Sequence, residues 1–233
     1  VTLTVTDDDG ASDTATRTVT VTAPPPASGL AVDAFTRSLG SGWGTADTGG
    51  AWTITGTAAL LSVADGAGKM TLPAGSTRTA TLNGLSLLNT DSRVTVSLDS
   101  VPTGTGSYAR LFARQNSTSY YGADAWVKAN GAVVLVLRQG STVLSTTTVT
   151  GLTYTAGTPL ALRLQVTGTA PTTVKGKLWL ASATEPTAWT SSVTDSTAAL
   201  QVAGSPALQA ATTSTSTASV VTRFDDFRVV APN

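Results

Sequence analysis

Three segments of the chain place charged and aromatic residues at alternating positions, the arrangement that puts both kinds of side chain on one face of a sheet. In "SYARLFAR", Tyr108, Arg110, Phe112 and Arg114 fall on one side. In "YYGADAWVK", Tyr120, Asp124, Trp126 and Lys128 do so, and in "AVVLVLRQ", Val134, Val136 and Arg138. Val133, Leu135 and Leu137 form the apolar opposite of the third run. With the three strands adjacent and in register, Arg110, Arg114, Asp124, Trp126 and Arg138, with Tyr120, make one patch. Aromatic plates stack on the C–H faces of sugar rings while Arg and Asp hold hydroxyl or acidic groups in fixed directions, so the chemistry is that of glycan recognition. The competing reading is a sheet face of self-paired Asp–Arg charges. Trp43, in the Gly-rich "GWGTADTGGAW", adds a loop aromatic that either joins the ligand surface or packs under its loop. Trp52 opens the strand-like "WTITG" and is expected in the core, as is Trp179; Trp189, after a Pro-containing turn, is a candidate rim aromatic.

A second chemistry is raised by "VVTRFDDFRVV", which holds adjacent carboxylates between two phenylalanines near the end of the chain. Neighbours on a strand point to opposite faces, so Asp225 and Asp226 cannot both face water beside a core. A buried carboxylate needs a partner. Three answers stand open: an ion pair with Arg223 or Arg228, a β-bulge that turns the acids outward, or a hard cation such as Ca²⁺. The triple acid "DDDG" (Asp7 to Gly10) lacks the twelve-residue calcium-loop pattern and reads as a hairpin turn. Asn116-Ser117-Thr118 matches a glycosylation sequon in a turn-like setting.

The absences are informative. The 233 residues include no Cys and no His, which removes thiolates and imidazole as nucleophile, base or metal ligand. Only Glu185 of the fourteen acidic residues is a glutamate, and it stands alone in a Pro turn. Paired carboxylates for glycoside hydrolysis are therefore not apparent, and catalysis is not expected. Net charge is +0 with 12% charged residues and no basic cluster, so nucleic acid is not the expected partner, and no stretch is apolar for long enough to span a membrane.

The elements that must position these residues are strands. Apolar content of 41% suffices for one full-size core. From Leu30 onward, short β-rich runs alternate with Gly, Asn and Pro at roughly ten-residue spacing, the rhythm of an all-β sandwich. Asn130-Gly131 in "KANGAVV" marks the clearest hairpin. "TTSTSTAS" (Thr212 to Ser219) is open to strand or loop. No window carries a sustained helical stripe. The opening "VTLTVTDDDGASDTATRTVTVTA" alternates Val and Leu with Thr about an acidic turn, with Val1, Leu3 and Val5 on one face and Val19 and Val21 on another. It reads as a hairpin that needs a sheet to join. "APPPASG" then reads as an extended spacer.

Residues 1–23 resemble the last two strands of a PKD-type, Ig-like domain. With a Pro-rich linker over 24–29, the chain is expected to be cut from a longer modular protein. Residues 30–233 resemble the concanavalin A-like (laminin-G-like) jelly rolls. The likeness rests on "VDAFTR…GWGTADTGGAWTITG", the "YARLFARQNSTSYYGADAWVKANGAVVLVLR" block, "LWLASATEPTAW" and "TRFDDFRVV". It implies an all-β, two-sheet antiparallel sandwich, and a structural Ca²⁺ where first and last strands meet, held by Asp226 and Asp33. Such domains occur as carbohydrate-binding modules, as accessory domains of secreted enzymes and in phage tail proteins, and fold does not choose between them. The composition, poor in Lys and rich in Thr, Ser, Ala and Gly, resembles secreted or virion-surface proteins of high-GC Gram-positive bacteria and their phages. The expected function is a non-catalytic, extracellular or cell-surface module that binds a polysaccharide or surface glycan. The alternative is a structural or receptor-binding part of a virion or surface fibre, assembling with its own copies or virion neighbours.

Overall fold

Alternation of small apolar and polar residues, punctuated by Gly and Pro, produces strands and, among the described residues, no helix longer than a 3-10 turn. The computed structural model describes residues 2–16, 29–117 and 119–232. Among them the strands are, in chain order, β1 (Thr2–Thr6), β2 (Ser12–Thr16), β3 (Ala31–Asp33), β4 (Thr53–Thr55), β5 (Leu61–Ala64), β6 (Ala67–Leu72), β7 (Thr77–Thr81), β8 (Thr90–Leu98) and β9 (Ser107–Gln115). There follow β10 (Tyr121–Val127), β11 (Ala132–Gln139), β12 (Thr142–Thr153), β13 (Leu160–Thr167), β14 (Thr172–Leu180), β15 (Ser191–Asp195), β16 (Ser205–Thr212) and β17 (Val220–Val230).

Strands β1 and β2 form an antiparallel hairpin. Its turn is closed by the Asp7 backbone and by the Asp7 carboxylate, which accepts from the Ala11 N–H at 2.8 Å. "DDDG" is thus a turn. The proline-rich spacer over 24–28, the Val19 and Val21 face, and Thr118 of the sequon lie outside the described residues.

The remaining strands form the two antiparallel sheets of a sandwich. A seven-stranded sheet runs β12-β11-β10-β9-β16-β7-β4, and an eight-stranded sheet has β15-β14-β13-β8-β17-β6-β5 along its path, with β3 added beside β17. Their facing sides bury alternate residues: Leu111, Ala123, Ala125, Leu135 and Leu137 from the first, and Val94, Val96, Leu162, Leu164 and Val174 from the second. The β10–β11 hairpin forms as the Asn-Gly pair suggests, although only Gly131 takes a positive φ (79°). Asn130 serves instead by accepting the Ala132 N–H at 3.0 Å. "TTSTSTAS" ends β16 at Thr212 and is otherwise a loop. It and the facing loop satisfy each other: Thr215 Oγ1 accepts the Thr105 N–H, and Thr103 Oγ1 of the facing loop accepts the Thr217 N–H.

One end of the core is aromatic. Phe35, Trp43, Trp52, Phe224 and Phe227 pack together with ring centroids 5.2–6.4 Å apart, mostly edge to face. Gly68 leaves space for them, since a Cβ there would lie 2.6 Å from Phe35 and 2.9 Å from Trp43. Trp43, offered by the sequence as a loop aromatic for a ligand, is fully buried in this cluster. Its loop packs the ring inward instead of projecting it. Trp52 is core, as expected.

Candidate functional site

Register decides which of the alternating residues meet. Gln209, Arg110, Asp124 and Val136 form one cross-strand row on the outer face of the seven-stranded sheet. Ala211, Tyr108, Trp126 and Val134 form the row on one side of it, and Ala207, Phe112, Gly122 and Arg138 the row on the other. The sheet thus brings Arg110, Asp124, Trp126 and Arg138 together, with Tyr120 beside them.

At the centre lies an arginine–aspartate–arginine bridge. Asp124 is wholly buried, and both guanidinium groups converge on its Oδ2: Arg138 Nε donates at 2.5 Å, and Arg110 Nε stands at 3.3 Å, near enough for an ion pair but not aligned for a hydrogen bond. Asp124 Oδ1 is buried and meets no donor among the described residues. Burial pushes the Asp124 pKa up, against the pull of Arg110 and Arg138. The arginines keep 16% and 15% of their side chains exposed, so the positive edges of the bridge reach the surface while the acid does not. Arg110 also donates to Gln209 Oε1 at 2.6 Å, and Gln209 donates to Thr79 Oγ1 at 2.8 Å, which extends the polar row across two more strands, β16 and β7.

Aromatic rings flank the bridge on both sides. Tyr108 and Trp126 lie side by side with centroids 5.3 Å apart and planes 20° from parallel. Phe112 and Tyr120 stack at 3.8 Å, over Gly122, where a Cβ would press on both rings. Arg110 sits 4.6 Å from the Tyr108 ring centre and Lys128 Nζ 4.5 Å from that of Trp126. Burial raises the Tyr108 and Tyr120 pKa values, so both phenols stay protonated.

Trp126 is fixed by its indole N–H, which donates to Thr105 O at 2.9 Å. That carbonyl belongs to the loop held down by the threonines of 213–217. Gly106, at φ 113°, permits this close approach, because any side chain there would collide with the Trp126 indole and the Val127 carbonyl. Beside Trp126 opens a cavity of about 360 Å³, lined by Gly104, Thr105, Trp126, Lys128, Ala129 and Asn130.

Arg114 does not belong to the patch. A β-bulge sets Ala113 and Arg114 against the single residue Pro206, and Arg114 takes φ 51°. The side chain turns inward and is 1% exposed. It donates to Leu88 O, Leu200 O, Gly168 O and Thr172 Oγ1 at 2.6–2.9 Å, clamping three connections at one end of the sandwich.

The acids of the last strand are explained by a second bulge, at Asp225–Arg228. It returns Phe227 to the inner face with Phe224, both fully buried, and leaves Asp226 exposed at φ 50°. Asp33 and Asp226 do not fit a shared Ca²⁺. Asp33 Oδ1 accepts from Phe35 N and Arg37 Nη1, and Oδ2 from Arg37 Nη2 and Trp52 Nε1, at 2.7–2.9 Å. Four N–H donors, two from a cation, occupy the oxygens that a metal would need. Among the described residues no group of three or more acidic side chains is placed to hold a metal ion.

Sequence reasoning missed Gln209 and Thr79, which come from strands distant in the chain and carry no motif. The loop contact that fixes Trp126 was equally hidden, because its threonines look like low-complexity sequence.

No family model matches the chain, and no curated protein matches it. Solved structures do match in fold. A GH43 protein from Bacillus licheniformis aligns with TM-score 0.57 and 13% identity over 98% of this chain and 46% of that one. The carbohydrate-binding module CBM66 from Bacillus subtilis aligns with TM-score 0.55 and 12% identity, over 77% of this chain and 95% of that one. A β-glucanase from Bacillus licheniformis aligns with TM-score 0.57 and 9% identity, over 88% and 100%. The chain spans about half the length of the GH43 protein. At these identities the likeness establishes a jelly-roll sandwich of the concanavalin A-like kind.

Proposed function

We propose that this chain is a non-catalytic module that binds an extracellular polysaccharide or cell-surface glycan on the outer face of the seven-stranded sheet. The observation that carries the reading is the Arg110–Asp124–Arg138 bridge held between two aromatic pairs, Tyr108–Trp126 and Phe112–Tyr120. The part-exposed rings of Tyr108, Trp126 and Tyr120, the last backed by the buried Phe112, offer apolar plates to sugar C–H faces, and rigid guanidinium edges offer donors to hydroxyl or carboxylate oxygens between them. The bridge is preorganised, so little side-chain entropy remains to be lost on binding. A structural neighbour described as a carbohydrate-binding module supports the same reading.

The non-catalytic part rests on the acids. Asp124 is the one carboxylate within the strands of this sheet, and Glu185 follows β14 of the opposite sheet. Glycoside hydrolysis by the usual route needs two carboxyl groups about 5–9.5 Å apart across the bond. The test is binding to a panel of polysaccharides by affinity electrophoresis, repeated with Trp126→Ala and Tyr108→Ala. Loss of retardation in both variants, without release of reducing sugar by the wild type, is the expected result. Unchanged retardation in both variants removes this face, and sugar release abolished by Asp124→Asn removes the non-catalytic reading.

A further inference from the structure

Cations on the outer faces of the two sheets are held in different ways. On the eight-stranded sheet, Lys177, Arg163, Arg93 and Arg228 stand opposite one another in one cross-strand row. Like charges so placed destabilise a sheet unless acids answer them. Asp91 accepts from Arg163 Nε and Nη2 at 2.6–2.7 Å. Glu185 accepts from Arg163 Nη1 at 2.5 Å and from Lys177 Nζ at 3.0 Å, and Arg93 stands 3.5 Å away. Burial opposes ionisation of Glu185, but the hydrogen bonds and charges of Lys177 and Arg163 outweigh it and hold its pKa below the usual value. Trp189 lies over this network, its ring centre 4.8 Å from Lys177 Nζ, and Arg93 covers Trp179, which is buried on the outer face.

Lys128 is not answered in this way. It follows β10 on the outer face of the seven-stranded sheet, half-buried, with Nζ 4.5 Å from the centre of the Trp126 ring. Among the described residues it pairs with no carboxylate. The ring holds the ammonium in place but does not neutralise it. The neighbouring bridge adds to the imbalance, because Arg110 and Arg138 share the single acid Asp124. Three cations therefore have one carboxylate between them on this face.

The cavity of about 360 Å³ beside Trp126 has Lys128 on its wall. Its polar lining is one of donors. Lys128 carries three N–H groups, and Asn130, whose Oδ1 is taken by the Ala132 N–H, is left with its amide N–H groups. The Thr105 carbonyl on the same wall is occupied by the Trp126 indole N–H. Among the described residues no acid lines the cavity.

We propose that Lys128 is a specificity determinant of the seven-stranded face, and that the saccharide bound there is acidic, with a carboxylate or sulfate seated in this cavity against the ammonium. This rests on the glycan-binding reading of that face and names the class of glycan. The ammonium stands over the ring that a sugar would cover. A neutral sugar on Trp126 displaces it and exchanges one ring contact for another. An acidic sugar pairs with it, so the anion adds an interaction that the neutral one lacks.

The test uses the whole chain, in about 0.15 M NaCl, against paired polymers that differ in their acidic groups. Polygalacturonate, alginate and hyaluronan are each set beside their carboxyl-reduced forms, and dextran sulfate beside dextran. At least one acidic polymer should bind more tightly than its neutral counterpart, and the pair that responds tells carboxylate from sulfate. Lys128→Gln should weaken binding of that acidic polymer by about fivefold or more and leave the neutral form unchanged. Lys128→Arg, which keeps the charge, should keep the preference, and Trp126→Ala should weaken both forms. No acidic preference in the wild type, an unchanged preference in Lys128→Gln, or an equal loss in Lys175→Gln on the opposite sheet overturns the proposal. A neutral polymer bound through Trp126 without acidic preference overturns this proposal alone and leaves the glycan-binding reading in place. Binding of no polymer at all overturns both.

Discussion

Replacing Arg114 by Met separates two roles that the same residue could be given. On the sequence pattern it belongs to the glycan face, and its loss should abolish binding without unfolding the domain. In the structure it is buried and donates to Leu88 O at 2.6 Å, Gly168 O at 2.6 Å, Thr172 Oγ1 at 2.8 Å and Leu200 O at 2.9 Å. Burial lowers its pKa, with the neighbouring Tyr121 opposing this. Hydrogen bonds to a charged group are each worth about 1.5–3 kcal/mol, offset by several kcal/mol for desolvating the cation. Methionine fills much of the volume but leaves three carbonyls and a hydroxyl without their donor. The expected loss is about 3–5 kcal/mol, or roughly 10 °C in Tm for a domain of this size. Arg114→Lys keeps the charge but carries its three donors on one nitrogen and cannot reach all four acceptors, so it should recover about half of that loss. Urea unfolding followed by Trp fluorescence reads both variants. A Met variant within about 1 kcal/mol of wild type refutes the clamp; one that keeps its stability and loses glycan binding returns Arg114 to the binding face.

Other expectations can be checked in the same way. Trp43→Ala empties the centre of the aromatic cluster and should cost about 3–5 kcal/mol in urea unfolding, where a surface tryptophan would cost less than about 1. Asp226→Asn, at an exposed bulge, should stay within about 0.5 kcal/mol of wild type, and EDTA should not move the Tm of either protein. Glu185 has a lowered folded-state pKa, so its contribution is present above the ordinary glutamate range and is lost as pH falls through the folded value. Acid unfolding curves of Glu185→Gln should therefore be flatter below that range than those of wild type, and parallel curves would contradict the assignment.

The central part of the face was legible because two local rules fix it. Period-two alternation assigns Arg110, Asp124, Trp126 and Arg138 to one side, and the Asn130–Gly131 turn sets the β10–β11 register that pairs them. What defeated sequence reading at Arg114 was a single extra residue. At Arg114 and at Asp226 a non-glycine residue takes a positive φ, and in each case the alternation shifts. The second bulge was one of three answers the sequence left open for the acids of the last strand, and it returns Phe227 to the aromatic cluster. Nothing local marks the first, since its stabilisation comes from the four acceptors that the shifted Arg114 reaches. Trp43 failed for a related reason, because packing and not loop composition decides where a ring goes. The Lys177–Arg163–Arg93–Arg228 row is assembled from four strands of the other sheet and has no trace in any one segment.

The account stands most directly on whether a saccharide contacts the Tyr108–Trp126 pair. Titration of the whole chain with oligosaccharides cut from whichever polysaccharide retards it, followed by the Trp126 indole N–H resonance, measures this. A saturable shift, with Kd weakened roughly thirtyfold by Tyr108→Ala, is the predicted result, corresponding to about 2 kcal/mol for a stacked ring. A retarded protein whose Trp126 resonance stays fixed through saturation would place the ligand elsewhere and contradict the central claim.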